Sequence, residues 1–299
     1  TDSLAKPTGV GQNVEGTFNA VSSIVDEVRV MDCEGCGEWS EPYVSANAAA
    51  GTRTDGTAAT GSDPTFRVAA IKPVTSYVSK NIEKLTPVNY VAKVQEIALV
   101  ALRAEVGALI VNGDGSNFYG IKTATNTKSE AIYDTLTMAL DSSKKGVIDE
   151  KTLRKIVLSY GGDENVGASA RLYLNKSDLI AFGDVRGSDK KPVYEITPDA
   201  GNPNTGIIKD GGLAVPYTIN SNLTALAGTA QSSAAVTNTM VYGDPMNYEL
   251  GLFGDYVIEV SKDYKFAEGL LTVMGEVLAG GNLIKHNGFL VCQISKGTS

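Results

Sequence analysis

The sequence predicts an α+β protein, and three observations carry that prediction. One stretch, between Thr86-Pro87 and Asn112-Gly113, repeats its apolar residues with helical spacing. Stretches on both sides of it alternate apolar and polar residues with the period of a strand. Helical and strand-like stretches then follow one another without the regular alternation of a doubly wound sheet. The 299 residues are 42 % hydrophobic and 20 % charged, enough apolar material for one large domain or two ordinary ones.

The helix is the strongest element. Thr86 supplies a capping hydroxyl and Pro87 suits the first helical position. Val88, Val91, Ala98, Leu99, Leu102, Val106, Leu109 and Ile110 keep one stripe, while Lys93, Glu96 and Arg103 fall elsewhere. Gly113 can take the left-handed conformation that ends a helix. About 25 residues at ~1.5 Å each make a rod of roughly 38 Å, longer than usual and better suited to a spine than to a site.

Before the helix, residues 1–22 mix Gly, Asn, Ser and Thr with few large apolar groups and read as an extended arm. Residues 45–65 contain no Leu, Ile, Val, Phe, Tyr, Trp or Lys. Behind them Phe66, Val68, Ala70, Val74, Val78 and Ile82 share one parity, which predicts a single long strand with one sticky face. Ahead of them Trp39 and Tyr43 lie in a shorter strand-like run. Two strands around a tip too polar to bury predict a projecting hairpin.

Past the helix the texture changes near residue 126. Helices are expected at 130–144 and 149–160, a strand at 170–175, and a short helix capped by Ser177. A polar loop covers 183–206. Strands are expected at 213–219, 239–242, 256–260, 267–278 and 288–295. There is no internal repeat.

The chemistry-bearing residues are few. The net charge of -8 argues against a module that reads nucleic acid by neutralising phosphates, though not against a container for it. Three cysteines, Cys33, Cys36 and Cys292, are no disulfide framework and suit a reducing cytoplasm. Residues 97–111 are interrupted by Arg103 and Glu105, so no membrane span is expected. His286 is the single histidine and sits in Lys-His-Asn-Gly with no nucleophile motif beside it. Cys33-Glu34-Gly35-Cys36 has knuckle spacing, but a tetrahedral zinc site needs Cys292 and His286 to converge from the far end of the chain. Asn112-Gly113-Asp114-Gly115-Ser116 opens like a calcium loop, yet Thr123 stands where the bidentate glutamate belongs. These features are expected to be turns. No catalytic, metal or cofactor site is expected.

The order of elements nevertheless resembles one family. VNGDGSNFYGI (111–121), ARLYLNKSDLIAF (170–182), GGLAVPYT (211–218, with Ala214 in place of the family's usual proline) and MVYGDPMNYELGLFGDYVIEVSKD (240–263) are similar to successive segments of the Hong Kong 97-type capsid fold of tailed bacteriophages. The resemblance covers nearly the whole chain. It implies a mature, N-terminally trimmed major capsid protein, in keeping with an opening Thr-Asp-Ser-Leu. It implies an N-terminal arm (1–24), a peripheral domain (25–44, 66–125 and 249–281), an extended loop (45–65) and an axial domain (126–248 and 282–299). The implied contacts between subunits are Arg53, Asp55, Asp63, Phe66, Arg67 and Lys72; the implied axial-loop residues are Arg186, Lys190, Lys191, Asn202 and Asn204. Implied partners are further copies in hexamers and pentamers, packaged double-stranded DNA without sequence readout, a portal, scaffold or protease during assembly, and a decoration protein. The implied place is the virion capsid, assembled in the host cytoplasm.

Some members of that family join subunits by isopeptide bonds between an extended-loop lysine and a neighbour's asparagine, helped by a glutamate. Here Arg53 is the only basic residue of 45–65, and residues 260–271 (VSKDYKFAEGLL) hold no Asn, with Lys265 near the matching position. Glu276 would match the glutamate without either partner, so no cross-link is expected. Two rival readings are an encapsulin-type compartment and an acidic enzyme with an unobvious carboxylate pair.

Overall fold

The computed structural model describes residues 24–46, 63, 65–72, 74–83, 90–114, 118–161, 169–230, 236–261, 263–264, 267 and 270–294. The arm, most of 45–65 and the Thr86-Pro87 helix start lie outside them. The described chain opens with α1 (Ile24–Glu27), β1 (Arg29–Asp32), β2 (Trp39–Ala46), β3 (Thr65–Ile71), β4 (Val74–Glu83) and α2 (Tyr90–Asn112). It continues with β5 (Asp134–Thr137), α3 (Thr152–Leu158), β6 (Arg171–Leu174), α4 (Lys176–Asp184), β7 (Glu195–Asp199), β8 (Asn202–Asp210) and β9 (Leu213–Ile219). β10 (Thr237–Gly243), β11 (Tyr248–Leu252), β12 (Val257–Ser261), β13 (Leu270–Leu283) and β14 (Phe289–Ile294) complete it. Among the described residues no helix is long and apolar enough to cross a membrane.

Helix α2 organises the first half. Val94, Ala98, Leu102, Val106 and Ile110 are buried at every fourth position, the spacing that stacks side chains on one face. Its 23 residues give a rod of about 34 Å at 1.5 Å per residue. The buried face meets Val273, Val277 and Ala279 of β13, with Leu250 of β11 beside them. Leu99 belongs to the expected stripe but is 37 % exposed. The helix ends as its sequence predicts: Gly113 has φ +70° and donates to the Leu109 carbonyl at 2.8 Å. Asp114 then accepts the Phe118 N–H at 2.9 Å, which makes this segment a helix-stopping turn.

β13 is the axis of a five-stranded sheet. One edge pairs antiparallel with β4 from Leu270 to Ala279. The other pairs β12 and then β11, and β1 joins β11 in parallel. A seven-stranded sheet runs in the order β5-β14-β10-β6-β9-β8-β7 and packs its own core around Leu172, Phe182, Tyr217, Met240 and Leu290. The sheets are tied by polar contacts as well as packing. Glu27 of α1 accepts from the Tyr173 hydroxyl at 2.5 Å and from Arg171 at 2.7 Å. Asp178, fully buried in α4, accepts the N–H groups of Leu226 and Ala227 at 3.0 and 2.8 Å and pins the loop before β10.

Four expectations are corrected. The helix at 130–144 is absent: residues 134–137 form β5, an edge strand parallel to β14, and Asp141 folds the next residues into a turn by accepting from Ser143 and Lys145. Pairing along an open sheet edge outweighs the weak local helix preference. The polar segment 183–206 is not all loop, since 195–199 and 202–210 form the β7–β8 hairpin. Asn175, not Ser177, caps α4, its side-chain oxygen accepting the Ser177 N–H at 3.0 Å. The expected long strand over 66–82 is two strands in different sheets, broken at Lys72; among the described residues β3 pairs only β2, and β4 pairs β13. The break passes beside Gly280, where a Cβ would stand 2.2 Å from the Lys72 carbonyl oxygen, so only glycine lets the chain cross there. In β3 the expected sticky parity holds only at its end: Ala70 is buried, but Ala69 and Ile71 of the other parity are fully buried and Phe66 is 63 % exposed. Elsewhere the sequence-based boundaries are approximate: α3 is shorter than 149–160, and β13 ends five residues beyond Leu278.

Candidate assembly surfaces

Strands β2 and β3 form a separate two-stranded ribbon in which Tyr43 faces Arg67 and Val44 faces Phe66. Alternation sorts the ribbon into two faces. The inner face carries Trp39, Glu41, Tyr43, Arg67, Ala69 and Ile71. Tyr43 is buried there and stacks on His286, ring centroids 6.2 Å apart and planes 11° from parallel. Arg67 pairs with Glu130 at 3.1 Å, and Asn126 donates to the same carboxylate at 2.7 Å. Those two hydrogen bonds, Asn126 first, hold the Glu130 carboxyl below its ordinary range. The outer face carries Pro42, Val44, Phe66 and Val68. Val44 and Phe66 are directly opposite one another and both exposed, 42 % and 63 %. An exposed aromatic–aliphatic cross-strand pair is an apolar patch that the described residues of this chain leave uncovered.

A second open surface is the face of the five-stranded sheet turned away from α2. Val257 and Glu259 of β12 register against Glu276 and Met274 of β13, and Leu278 follows on the same parity. Val257 and Leu278 are 46 % and 37 % exposed.

Between these surfaces, at the root of the ribbon, Glu249 on β11 is fully buried, with Arg29 of β1 at 3.1 Å as its ion-pair partner. Burial raises its pKa; Arg29 opposes the rise and Glu41 adds to it. Its oxygens accept no well-aligned hydrogen bond among the described residues. Removing the cation should therefore hurt. Arg29→Ala is expected to cost about 1–3 kcal/mol in urea unfolding at pH 7, below a fully buried pair because Arg29 is partly exposed. A raised folded-state pKa means that this group's contribution is complete below its unfolded pKa and lost as pH rises through the folded one. The Arg29→Ala penalty should accordingly shrink on acidification, when a proton replaces the guanidinium. Glu249→Gln should remove that pH dependence, and a pH-independent penalty in Arg29→Ala would contradict this account.

The sequence-predicted site residues are only partly brought together. Arg53 and Asp55 lie outside the described residues. Asp63 and Lys72 are exposed at the two ends of the β3 arm, Phe66 is on the apolar outer face, and Arg67 is turned inward to Glu130. Arg186 donates to the Gly183 carbonyl at 2.6 Å, Lys190 sits in a turn at φ +63°, and Lys191 is 3.8 Å from Asp189. Asn202 accepts the Asn204 N–H at 3.2 Å at the far end of β7. The 186–191 turn and the Asn202/Asn204 turn are thus separated by that five-residue strand, about 17 Å. Phe66 was among the expected contacts, but its partner Val44 was missed; their shared face depends on a register that only the pairing reveals.

Among the described residues no three His, Cys, Asp or Glu side chains group as metal ligands. Cys33 is buried among Ile71, Phe253, Met31 and Trp39, its thiol pKa raised chiefly by burial, while Cys36 is exposed. Cys36 donates its N–H to the Cys33 carbonyl at 3.0 Å, which makes the motif a turn. Cys292 lies in the other core.

The comparisons agree with this architecture. The phage capsid family matches residues 7–294. Among solved structures, the capsid of a native GTA particle aligns with TM-score 0.74 at 12 % identity, covering 98 % of this chain and 96 % of that one. A Mycobacterium phage Ogopogo chain aligns at 0.63 with 13 % identity and 97 % coverage of both. A Gordonia phage Cozz chain aligns at 0.60 with 15 % identity, covering 97 % of this chain and 92 % of that one. At such identities the alignments show a shared fold. No curated protein sequence matches. The family match across almost the whole length therefore settles the kind of protein this is: the chain belongs to the phage capsid family, a structural shell protein and not an enzyme.

Proposed function

We propose that the chain is a major capsid subunit of Hong Kong 97 type that closes, as hexamers and pentamers, into an icosahedral shell around double-stranded DNA. The observation that carries this reading is the β2–β3 ribbon: its outer face exposes Val44 and Phe66, and among the described residues nothing covers them. A neighbouring subunit can. The open face of the five-stranded sheet, with Val257, Met274 and Leu278, offers apolar surface of the matching kind. Weak contacts of this sort hold a shell because each is repeated and each binds only the folded subunit. In this reading the five-stranded sheet (β1, β4, β11, β12 and β13) with α2 belongs to the peripheral domain, and the seven-stranded sheet (β5 to β10 and β14) to the axial domain. The net charge of -8 agrees with enclosing DNA without reading it. Portal, scaffold, protease and decoration protein remain partners of this reading, as does assembly in the host cytoplasm.

Expressed from its intact gene with the protease and scaffold of its own particle, the protein should sediment as closed shells visible by negative stain. Small oligomers under every such condition would refute the proposal. Shells filled with a protein cargo and free of DNA would favour an encapsulin-type compartment instead.

A further inference from the structure

We propose that Cys33 and Cys36 form a reversible disulfide that closes when the protein leaves a reducing environment and locks the root of the β2–β3 ribbon. Both residues, and the turn between them, belong to the described chain. Cys36 donates its N–H to the Cys33 carbonyl at 3.0 Å, which closes a four-residue turn. Gly35, the third residue of that turn, has φ +79°, the value a type II turn requires there. Asp32 accepts the Glu34 N–H at 3.0 Å and supports the turn from its start. Such a turn brings its end Cα atoms within about 7 Å, and a disulfide needs about 4.4–6.8 Å. The backbone is already shaped for the bond.

The two thiols differ in the way a stepwise exchange needs. Cys33 is buried with Ile71 and Phe253, and its Sγ is 3.4 Å from where a Cβ on Gly251 would stand. Cys36 is exposed, an unusual place for a cysteine, and residues 34–38 around it are exposed as well. Among the described residues, a Cβ built at Gly35 or Gly37 would meet no atom within 4 Å. A small disulfide such as oxidised glutathione therefore has room to reach Cys36. The Cys36 thiolate attacks one sulfur of that disulfide, and the glutathione thiolate that leaves takes up the proton. The Cys33 thiolate then attacks the Cys36 sulfur, and the second glutathione leaves in the same way. Two protein thiols are oxidised, and one glutathione disulfide is reduced to two thiols. Burial raises the Cys33 pKa, with Cys36, Glu249 and Asp32 adding to the rise, so closure is the slower step. Cys292, the third cysteine, is fully buried in the other core and takes no part.

Position gives the bond its effect. Cys33 follows β1 and donates its N–H to Leu252 of β11 at 2.8 Å. Trp39, three residues past Cys36, opens β2 opposite Ile71 and packs against the small core that holds Cys33. A bond from 33 to 36 thus stiffens the link between the five-stranded sheet and the ribbon. In the shell proposed above, cytoplasmic glutathione keeps the pair reduced during assembly, and release from the cell lets it close. Only that timing rests on the shell reading; the bond itself is a property of one chain.

The full-length chain equilibrated with oxidised glutathione should lose the mass of two hydrogens and keep one of its three thiols titratable after denaturation. Its thermal midpoint should rise by about 4 °C, because a disulfide across so short a loop acts at the low end of the usual range. Dithiothreitol should reverse both changes. Cys33→Ala should instead hold one glutathione at Cys36, and Cys36→Ser should take up none under the same native conditions. The second variant keeps the test sound if the core substitution fails to fold. Three free thiols at equilibrium, a lasting glutathione adduct on the wild-type chain or a disulfide between two chains would overturn the proposal. So would a closed bond that leaves the thermal midpoint where it was.

Discussion

Replacing Val44 and Phe66 together with aspartate is expected to leave the subunit folded and to abolish closed shells. Both side chains are exposed on the outer face of a ribbon whose other face does the packing, so no buried contact among the described residues is lost. Exposed substitutions of this kind shift unfolding free energy by about 0.5 kcal/mol or less. Burial against a neighbour would be worth about 1.5–3 kcal/mol for the phenylalanine alone, and two buried, unpaired aspartates reverse the sign. A loss of ~3 kcal/mol per contact raises the concentration needed for assembly by roughly a hundredfold. Deleting residues 48–60 should act in the same direction, because that segment has no large apolar group with which to support the body. Thermal unfolding and sedimentation of the same samples separate the outcomes. A double variant that unfolds like a core mutant would place the pair inside the subunit, and normal shells would show that the outer face touches nothing.

Purified heads boiled in denaturant with reductant should run as a single band near 31.4 kDa. An isopeptide bond needs a neutral lysine amine beside a side-chain amide, in a pocket that takes up the amine's proton. The 45–65 segment offers only Arg53, whose guanidinium is permanently protonated, and 260–271 offers no asparagine. Lys122 has an amine that burial biases toward the neutral form, but it is 8 % exposed on the turn after α2, where a neighbour cannot reach it. The shell is then held by apolar contacts and strand pairing, and strong denaturant should dissolve it completely. A ladder of higher bands, confirmed by mass spectrometry as Lys–Asn linkages, would show the opposite.

How much of this was legible beforehand depends on the range of the forces involved. The end of α2, the strand at 213–219 and the CxxC turn could be read from neighbouring residues, because a left-handed glycine or a period of two acts within a few positions. The family resemblance was legible too, since it rests on the order of such local segments. The 130–144 segment was misread because its state is decided by β14, more than 150 residues away, which offers an edge to pair with. The run from Phe66 to Ile82 was misread because Gly280 lets the chain pass from one sheet to another, and a parity counted across that crossing loses its meaning. The assembly surface shows the same division. Composition alone led to the expectation that 45–65 would not bury itself, whereas the face on which Phe66 lies, and its pairing with Val44, were decided by strand register. Register is a property of two chain segments at once, and hydrogen bonds between distant strands set it where no single stretch of sequence can.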